Sequence, residues 1–442
     1  MNETSGLRQY RFENLWDVSL YFLGFCTLLF HVAVFQGYSE LLISTLFLIL
    51  GLFIFKNNNQ RLFLISFSIN VFVAAMHGLL FYYARGESFS PGADDKHFYL
   101  QTMKMLEGKK AMLGNYEMYI YINYGLYSIA DFFGLFDHSY LNIAFLNAFI
   151  GATIAPCVNT ISSKYFSTKY VNLTVYLVLF FPILLSFSGM LLRDIWVAAI
   201  FIWVVNIILS PISIFWKIIL CLFLGYISFG FRAATGVVTL LFFASYYFYA
   251  IKSNWLKFFI GVTLVVVFFA VFYKSISAVQ DIVFEKYKGF ANKTSSDNSV
   301  GMKLAFSTNP LVRGIYFVIL LYNPVPPFHG SYVDDIFIGL GAVVWYFIVP
   351  GFIFGLFKAM TDEKLKRFAF AFGTSVLVLL LALFTISGSE RHKLLIYAPA
   401  IFFYVYYLQN YSFAFRTKLM VLYCGGIVLA GLVYAVLKLQ LI

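Results

Sequence analysis

The chain has 442 residues, of which 61% are apolar and 12% are charged, and its mean hydropathy is +0.83. Because a soluble globular domain is about half apolar and a quarter charged, this composition excludes a water-soluble fold. The net charge of +11 does not indicate nucleic-acid binding, since the lysines and arginines are scattered through short segments between apolar runs.

Apolar runs of roughly 15 to 22 residues recur along the chain, and this length suits helices that cross a bilayer. They predict an all-α, polytopic bundle of about 13 transmembrane spans, forming a single integral membrane domain over residues 1–442. The first run follows Arg8 and Arg11 and lacks a small-residue cleavage site, so we expect a retained span rather than a signal peptide. The runs begin at Trp16, Leu41, Leu62, Leu141, Val171, Ile195, Ile212, Ala233, Leu256, Phe337, Phe368, Leu394 and Leu419.

Two long polar loops separate the apolar runs, at residues 84–140 and 274–336. Each contains a shorter apolar stretch, 120–135 in the first loop and 311–323 in the second. We interpret both stretches as juxtamembrane or re-entrant segments beside the bundle, with a true span as the alternative for either.

The basic residues of the short loops indicate the orientation of the chain. A cytoplasmic N-terminus places these loops on the inner side of the membrane, as the positive-inside rule requires. Both long loops then face outward, where a membrane protein can assemble a water-accessible site. The inner loops contain Lys56, Arg61, Lys164, Lys169, Lys217, Lys252, Lys257, Lys358, Lys364, Lys366, Arg367, Arg416 and Lys418.

An acidic pair, Asp94 and Asp95, lies near the start of the first long loop and precedes a predicted helical stretch over 100–108. Adjacent carboxylates repel each other, so one of them can act as a base toward a hydroxyl group, or the pair can recruit a divalent cation. The alternative is structural, with an aspartate capping the N-terminus of a helix.

Two arginines lie at predicted outer ends of helices. Arg193 offers a planar fork for phosphate oxygens, and the adjacent Asp194 can hold that fork in place. A simple ion pair at the end of a helix is the alternative. Arg232 stands between two long apolar runs, where a charge is costly without a partner unless the side chain extends to the lipid headgroups.

A cationic run, Arg391-His392-Lys393, opens an apolar span that contains Pro399. Its position on the outward side departs from the charge bias of membrane proteins, so we expect an anionic partner, either a substrate or lipid headgroups. The second long loop ends in a proline cluster, 324–327, followed by His329. The prolines predict an ordered extended turn, and such a loop either covers a site or is a solvated connection.

Motifs of several protein classes are absent from the sequence. It has no Walker A, HExxH, GxSxG or GxGxxG motif, which argues against an ATP-driven pump, a zinc protease and a dehydrogenase. The four cysteines lie in apolar runs without CxxC spacing, which argues against a zinc site or a disulfide framework. His31 and His77 lack a second ligand at helical spacing, so we interpret them as polar groups satisfied within the bundle.

The order of these charged groups over residues 94–399 resembles the GT-C superfamily of membrane glycosyltransferases. The resemblance extends to lipid-phosphosugar glycosyltransferases and to surface-polysaccharide (O-antigen) polymerases of the Wzy or EpsG kind. We expect the polymerase branch, because the transferases often have a sizeable soluble C-terminal domain that this sequence lacks. The second loop, however, is poorer in arginine than in many such polymerases. The matching positions are Asp94, Asp95, Tyr99, Arg193, Asp194, Arg232, Arg391 and His392.

The resemblance implies that polyprenyl-diphosphate-linked oligosaccharide repeat units are joined into a bacterial surface polysaccharide at the outer face of the inner membrane. It implies catalysis by Asp94 or Asp95, with the basic residues near the departing phosphates. No cofactor is expected, although a divalent cation is left open. The expected partners are the lipid-linked sugar, membrane lipid and a chain-length regulator or flippase, without nucleic acid. The implied substrate- and phosphate-binding residues are Arg193, Asp194, Arg232, Arg391, His392, Lys393, Tyr99 and His329.

Three alternatives stay open at this point. A GT-C glycosyltransferase can use a polyprenyl-phosphate monosaccharide as its donor. A lipid-linked oligosaccharide flippase can line a translocation path with the same arginines. A polymer-assembly scaffold needs no active site at all.

Overall fold

The computed structural model contains helices in two compact units. Within the described residues all regular secondary structure is helical. The first unit comprises the described residues of Met1–Val237, Pro327–Val344 and Lys393–Phe402, and the second comprises those of Val238–Pro326, Trp345–His392 and Phe403–Ile442. The described residues are 18–19, 21–27, 29–30, 38–89, 93–112, 116–134, 138–253, 255, 333–383 and 390–440.

Fifteen helices have defined ends within these ranges, and segments of α11, α12 and α14 belong to each unit. They are α1 (Tyr38–Ile54), α2 (Asn58–Arg85), α3 (Ala93–Leu106), α4 (Glu117–Phe132), α5 (Tyr140–Ala152), α6 (Ile154–Ser162), α7 (Thr168–Leu179), α8 (Pro182–Gly189), α9 (Asp194–Leu209), α10 (Ile214–Phe231), α11 (Ala233–Ala250), α12 (Val333–Thr361), α13 (Lys366–Leu383), α14 (Glu390–Asn410) and α15 (Phe413–Gln440).

Five stretches of the described chain are long and apolar enough to cross a membrane, and a sixth is reached if the bent pair α7–α8 is one span. The prediction of about 13 spans is therefore not confirmed. Helices do coincide with the apolar runs from Leu41 to Ala233 and from Phe337 to Leu419. Some are short, however: α1 has 17 residues and α9 has 16, and at 1.5 Å per residue neither reaches the ~30 Å of a hydrocarbon core. The five stretches are Asn58–Arg85, Tyr140–Ser162, Ile214–Phe231, Ala233–Ala250 and Ile336–Thr361.

The remaining predicted segments have different outcomes. The run beginning at Leu256 and the stretch 311–323 lie outside the described residues, as does nearly all of the second long loop, and the run at Trp16 is described only in part. The first long loop contains α3 and α4. The stretch 120–135 corresponds to α4, which is not among the membrane-capable helices. The predicted helix over 100–108 corresponds to α3, which begins earlier, so both aspartates lie in its first turn.

Helix α5 forms the centre of the first unit. All 13 of its residues are buried, and it packs against α1, α2, α8 and α9. The bend of 46° between α7 and α8 has a local cause, because Pro182 opens α8 and a proline has no N–H group to continue the preceding helix. A buried hydrogen bond lies inside this packing, where Ser188 Oγ donates to Asn70 Oδ1.

His77 differs from its predicted state. It is 0% exposed, and neither ring nitrogen has a hydrogen-bond partner in the part of the chain that the structure describes. The ring instead lies edge-on to Phe337, with 5.3 Å between ring centroids, and near Phe81 at 5.7 Å. His77 therefore packs as an aromatic side chain. His31 lies outside the described residues.

In the second unit α12 and α14 approach each other at two glycines spaced four residues apart. A Cβ atom at Gly355 would lie 1.9 Å from the carbonyl oxygen of Phe403, and one at Gly351 would lie 2.6 Å from the Tyr404 ring. Small residues at this spacing let two membrane helices come into backbone contact. The close approach therefore depends on the absence of side chains at these positions.

Candidate functional site

Helices α9 and α10 form an antiparallel hairpin that brings the start of one beside the end of the other. The residues between them are 210–213, too few for any other arrangement of two packed helices. The start of α9 carries Arg193 and Asp194, and the end of α10 carries Phe231 and Arg232. Two charged positions from separate parts of the sequence therefore meet at one end of this hairpin.

Asp194 and Arg232 form a buried ion pair across this end. Nη2 of Arg232 donates to Oδ1 of Asp194 at 2.7 Å, and the side chains are 16% and 1% exposed, respectively. The partner that the sequence left unidentified for Arg232 is thus Asp194. This geometry disfavours the alternative in which Arg232 extends freely to the lipid headgroups.

Arg193 is 8% exposed and is held by the same end of α10. Its Nη1 donates to the carbonyl oxygen of Phe231. Its guanidinium carbon lies 4.4 Å from the centroid of the Tyr116 ring, a cation–π contact. The Arg193 guanidinium is therefore hydrogen-bonded to the residue directly before Arg232.

Asp95 approaches this region from α3. It is 0% exposed and lies one turn before Phe98 on the same face of the helix. The Phe98 ring packs against the Tyr116 and Tyr119 rings, at centroid distances of 5.1 and 5.3 Å. Helix α4, which carries Tyr119, packs against both α3 and α10.

Tyr119 connects the two halves of the site. Burial raises the pKa of its hydroxyl group, and the nearby carboxylates of Asp194 and Asp95 raise it further, while a hydrogen bond with Asn147 lowers it. Both carboxylates therefore act electrostatically on one phenol. We define the polar cluster as Asp95, Tyr119, Asn147, Arg193, Asp194 and Arg232.

Asn147 holds the irregular segment that precedes α9. It is 0% exposed, and its Nδ2 donates to the carbonyl oxygens of Met190 at 2.6 Å and Leu192 at 3.0 Å, and to the Tyr119 hydroxyl at 2.9 Å. Its Oδ1 accepts from Trp196 Nε1 at 2.8 Å. The side chain thus fixes the segment on both sides of Leu191 and orients the start of α9, where Arg193 and Asp194 lie.

The sequence did not single out Tyr119 or Asn147. A tyrosine is one of 32 in this chain, so its type carries no signal. The position of Asn147 is informative, because an amide inside an apolar run is costly to bury unless it is hydrogen-bonded. Asn142 in the same run carries the same signal, and its Nδ2 donates to Ser39 Oγ at 3.2 Å.

The other predicted residues of the first loop have structural partners. Asp94 is half-buried in the first turn of α3. The Tyr99 hydroxyl donates to the carbonyl oxygen of His138 at 2.9 Å, and its ring lies 5.2 Å from that of Phe89. Lys96 forms a 2.6 Å ion pair with Glu87, which lowers the pKa of that glutamate. The functional roles predicted for Asp94 and Tyr99 stay predictions.

The predicted cationic run lies in the first turn of α14. Arg391 and His392 belong to the second unit, and Lys393 belongs to the first, where it is 1% exposed. His329 lies outside the described residues. Among the described ranges no three His, Cys, Asp or Glu side chains lie together in a way that could hold a metal ion.

The polar cluster combines groups with different chemistry in a buried setting. A guanidinium carries five N–H donors, so Arg232 can bind Asp194 and an oxyanion at the same time. A carboxylate such as Asp95 can accept a proton from a hydroxyl group, and charges interact more strongly in a buried site than in water.

No family model, curated protein or solved structure matches the chain.

Proposed function

We propose that the chain is a membrane glycosyltransferase that polymerises polyprenyl-diphosphate-linked oligosaccharide repeat units into a surface polysaccharide. The observation that supports this proposal is the meeting of Asp95 and of the Arg193, Asp194 and Arg232 side chains around Tyr119. A proton acceptor and two anion-binding groups in one buried place are what transfer from a phosphate leaving group requires. The helices long enough to cross a membrane suit a lipid-linked substrate.

In the proposed reaction a hydroxyl group of the acceptor sugar attacks the anomeric carbon of the donor sugar. A new carbon–oxygen glycosidic bond forms, and the bond from that carbon to the diphosphate oxygen breaks. Asp95 takes the proton of the hydroxyl group. The electron pair of the broken bond leaves with the polyprenyl diphosphate, whose added negative charge Arg193 and Arg232 stabilise.

Asp95 is the stronger candidate of the acidic pair. It is fully buried and acts on Tyr119, whereas Asp94 is half-buried. Neighbouring residues on a helix point about 100° apart, so the two carboxylates do not face the same surroundings. We therefore expect Asp95→Asn to reduce transfer far more than Asp94→Asn.

The cationic run of α14 is assigned to the diphosphate by the sequence resemblance alone. In this proposal Arg391, His392 and Lys393 add positive charge for the donor, and a divalent cation can share that role. The variant Arg391→Ala is expected to reduce transfer, because a planar guanidinium matches phosphate oxygens in a way that no short apolar side chain does.

The proposal is tested with purified protein in lipid vesicles supplied with polyprenyl-diphosphate-linked repeat units. A ladder of longer glycans on gel electrophoresis is the expected product. Glu117→Gln is the matched control, because Glu117 is an exposed carboxylate on the helix that carries Tyr119. Movement of the lipid-linked sugar across the vesicle membrane without any lengthening would instead assign the chain to transport.

A further inference from the structure

A second group of charged side chains lies at the opposite end of α9 from the polar cluster. Nζ of Lys164 donates to the carbonyl oxygen of Leu209, and Nζ of Lys217 donates to that of Ile208 at 2.8 Å. These carbonyls belong to the last turn of α9, where C=O groups have no partner within the helix. Because the two acceptors belong to consecutive residues, the ammonium groups of the two lysines lie near each other.

The two lysines bring an excess of positive charge to this place. Burial lowers the pKa of Lys164, and the positive charge of Lys217 lowers it further. Neither lysine forms an ion pair with any residue in the described ranges. The end of α9 supplies only a partial negative charge, equivalent to about half an electron. An anion would therefore be attracted here.

The position of Lys217 on its own helix adds to this attraction. It lies in the first turn of α10, which begins at Ile214. The N-terminus of a helix carries a partial positive charge, so a lysine there gains nothing from the dipole of its own helix. An anion bound at this point would interact favourably with the helix start and with both ammonium groups.

An apolar surface begins beside Lys217 and continues along α10. The helix is long and apolar enough to cross a membrane, yet only 22% of its residues are buried. Trp216 lies near the start of the helix, and a tryptophan near the end of a membrane helix is typical of the headgroup level. The large side chains of α10 that are half exposed or more are Ile214 (51%), Phe215 (62%), Trp216 (56%), Leu222 (52%), Phe223 (57%) and Tyr226 (69%).

We propose that Lys164 and Lys217 bind the phosphate of an anionic phospholipid whose acyl chains lie along the exposed face of α10. An ammonium group has three donors, and one of each lysine is used on α9, so two remain on each for phosphate oxygens. A zwitterionic lipid is disfavoured, because the two ammonium groups repel the cationic part of its headgroup. This site is independent of the proposed glycosyl transfer.

The proposal is tested by native mass spectrometry of the full chain in detergent with equal amounts of phosphatidylglycerol and phosphatidylcholine. The wild type is expected to retain phosphatidylglycerol preferentially. The double variant Lys164→Gln/Lys217→Gln is expected to weaken that preference about 30-fold, since one basic residue near a membrane contributes about a factor of five. The matched control is Lys169→Gln/Lys252→Gln, which removes the same charge from two exposed lysines and keeps the preference.

Three results would overturn the proposal. One is equal retention of the two lipids by the wild type, a measurement that needs no variant. The second is an undiminished preference in the double variant. The third is displacement of phosphatidylglycerol by inorganic phosphate or glycerol phosphate at the same concentration as the lipid. That result would show that the two lysines bind a free anion. The conservative variant Lys217→Arg should keep the preference, which separates lost binding from lost folding.

Discussion

Asp194 and Arg232 are 38 positions apart in the sequence, and they meet through a 2.7 Å hydrogen bond between Oδ1 and Nη2. The pair ties the start of α9 to the end of α10. It also keeps the nearly fully buried carboxylate of Asp194 neutralised, so the arrangement of the polar cluster depends on it.

Replacing Arg232 by methionine should remove the cation that pairs with the buried carboxylate of Asp194 at 2.7 Å and destabilise the chain by about 3–5 kcal/mol. The double variant Asp194→Leu/Arg232→Met should recover most of this loss, because removing both charges avoids the unpaired carboxylate. Denaturant unfolding in detergent measures both. A double variant no more stable than Arg232→Met would show that the two side chains are not coupled.

The meeting of these two residues could be predicted from the sequence in part. Two apolar helices of similar length joined by four residues must run antiparallel, so Arg193 and Asp194 had to approach Phe231 and Arg232. The approach of Asp95 could not be predicted, because it depends on how α3 and α4 pack against the hairpin. Nothing in the local pattern of an amphipathic helix specifies that packing.

The predicted number of spans was not confirmed among the described residues, for a related physical reason. Hydropathy reports how apolar a stretch is, and a stretch buried in protein is as apolar as one facing lipid. The stretch Tyr140–Ser162 is entirely buried, whereas most of Ile214–Phe231 is exposed, although both pass as membrane helices. Short apolar helices such as α1 and α9 have the same composition without the length to span.

Asn147 is expected to be a structural determinant of the cluster. The variant Asn147→Leu removes the donor to the Leu192 carbonyl oxygen and the acceptor of Trp196 Nε1, at about 1–3 kcal/mol for each group left unsatisfied. The Met190 carbonyl oxygen still accepts from the Leu192 N–H group at 2.9 Å. Thermal unfolding in detergent measures the loss. Asn206→Leu is the matched control, because the amide of Asn206 makes a weak 3.9 Å contact with Cys157 Sγ. Equal stability of the two variants would contradict this role.

The Asp362–Tyr406 hydrogen bond in the second unit predicts a pH dependence. The Tyr406 hydroxyl donates to Asp362 Oδ2 at 2.6 Å, and this bond is the main cause that lowers the pKa of Asp362 below its ordinary value of 3.8. A depressed carboxyl pKa adds stability that is present above the unfolded pKa and is lost as the pH falls through the folded pKa.

The variant Tyr406→Phe should therefore be less stable than the wild type at pH 7, and the difference should shrink as the pH is lowered below about 4. Unfolding measured at pH 7, 5 and 3 gives the comparison. Tyr411→Phe serves as the control, with a difference from the wild type that does not change over this range. A constant difference for Tyr406→Phe would exclude the Asp362 carboxylate as the cause.

Glycine substitutions test the contact between α12 and α14. A methyl group at Gly355 would overlap the backbone of Phe403, so Gly355→Ala should destabilise the second unit by about 1–3 kcal/mol. Gly425 and Gly426 lie in a helix with nothing within 4 Å of a Cβ atom. Alanine at either position should be neutral or stabilising by about 0.5–1 kcal/mol. Similar losses at all three positions would contradict the close approach.

The most direct test of the proposed transfer is the rate at which polyprenyl diphosphate is released as glycans lengthen. For the wild type, one diphosphate should be released for each repeat unit added. Asp95→Asn should lower this rate by about 10² to 10⁴, the usual contribution of a positioned base, while Glu117→Gln keeps it. A properly folded Asp95→Asn protein that releases diphosphate and lengthens glycans at the wild-type rate would contradict the account.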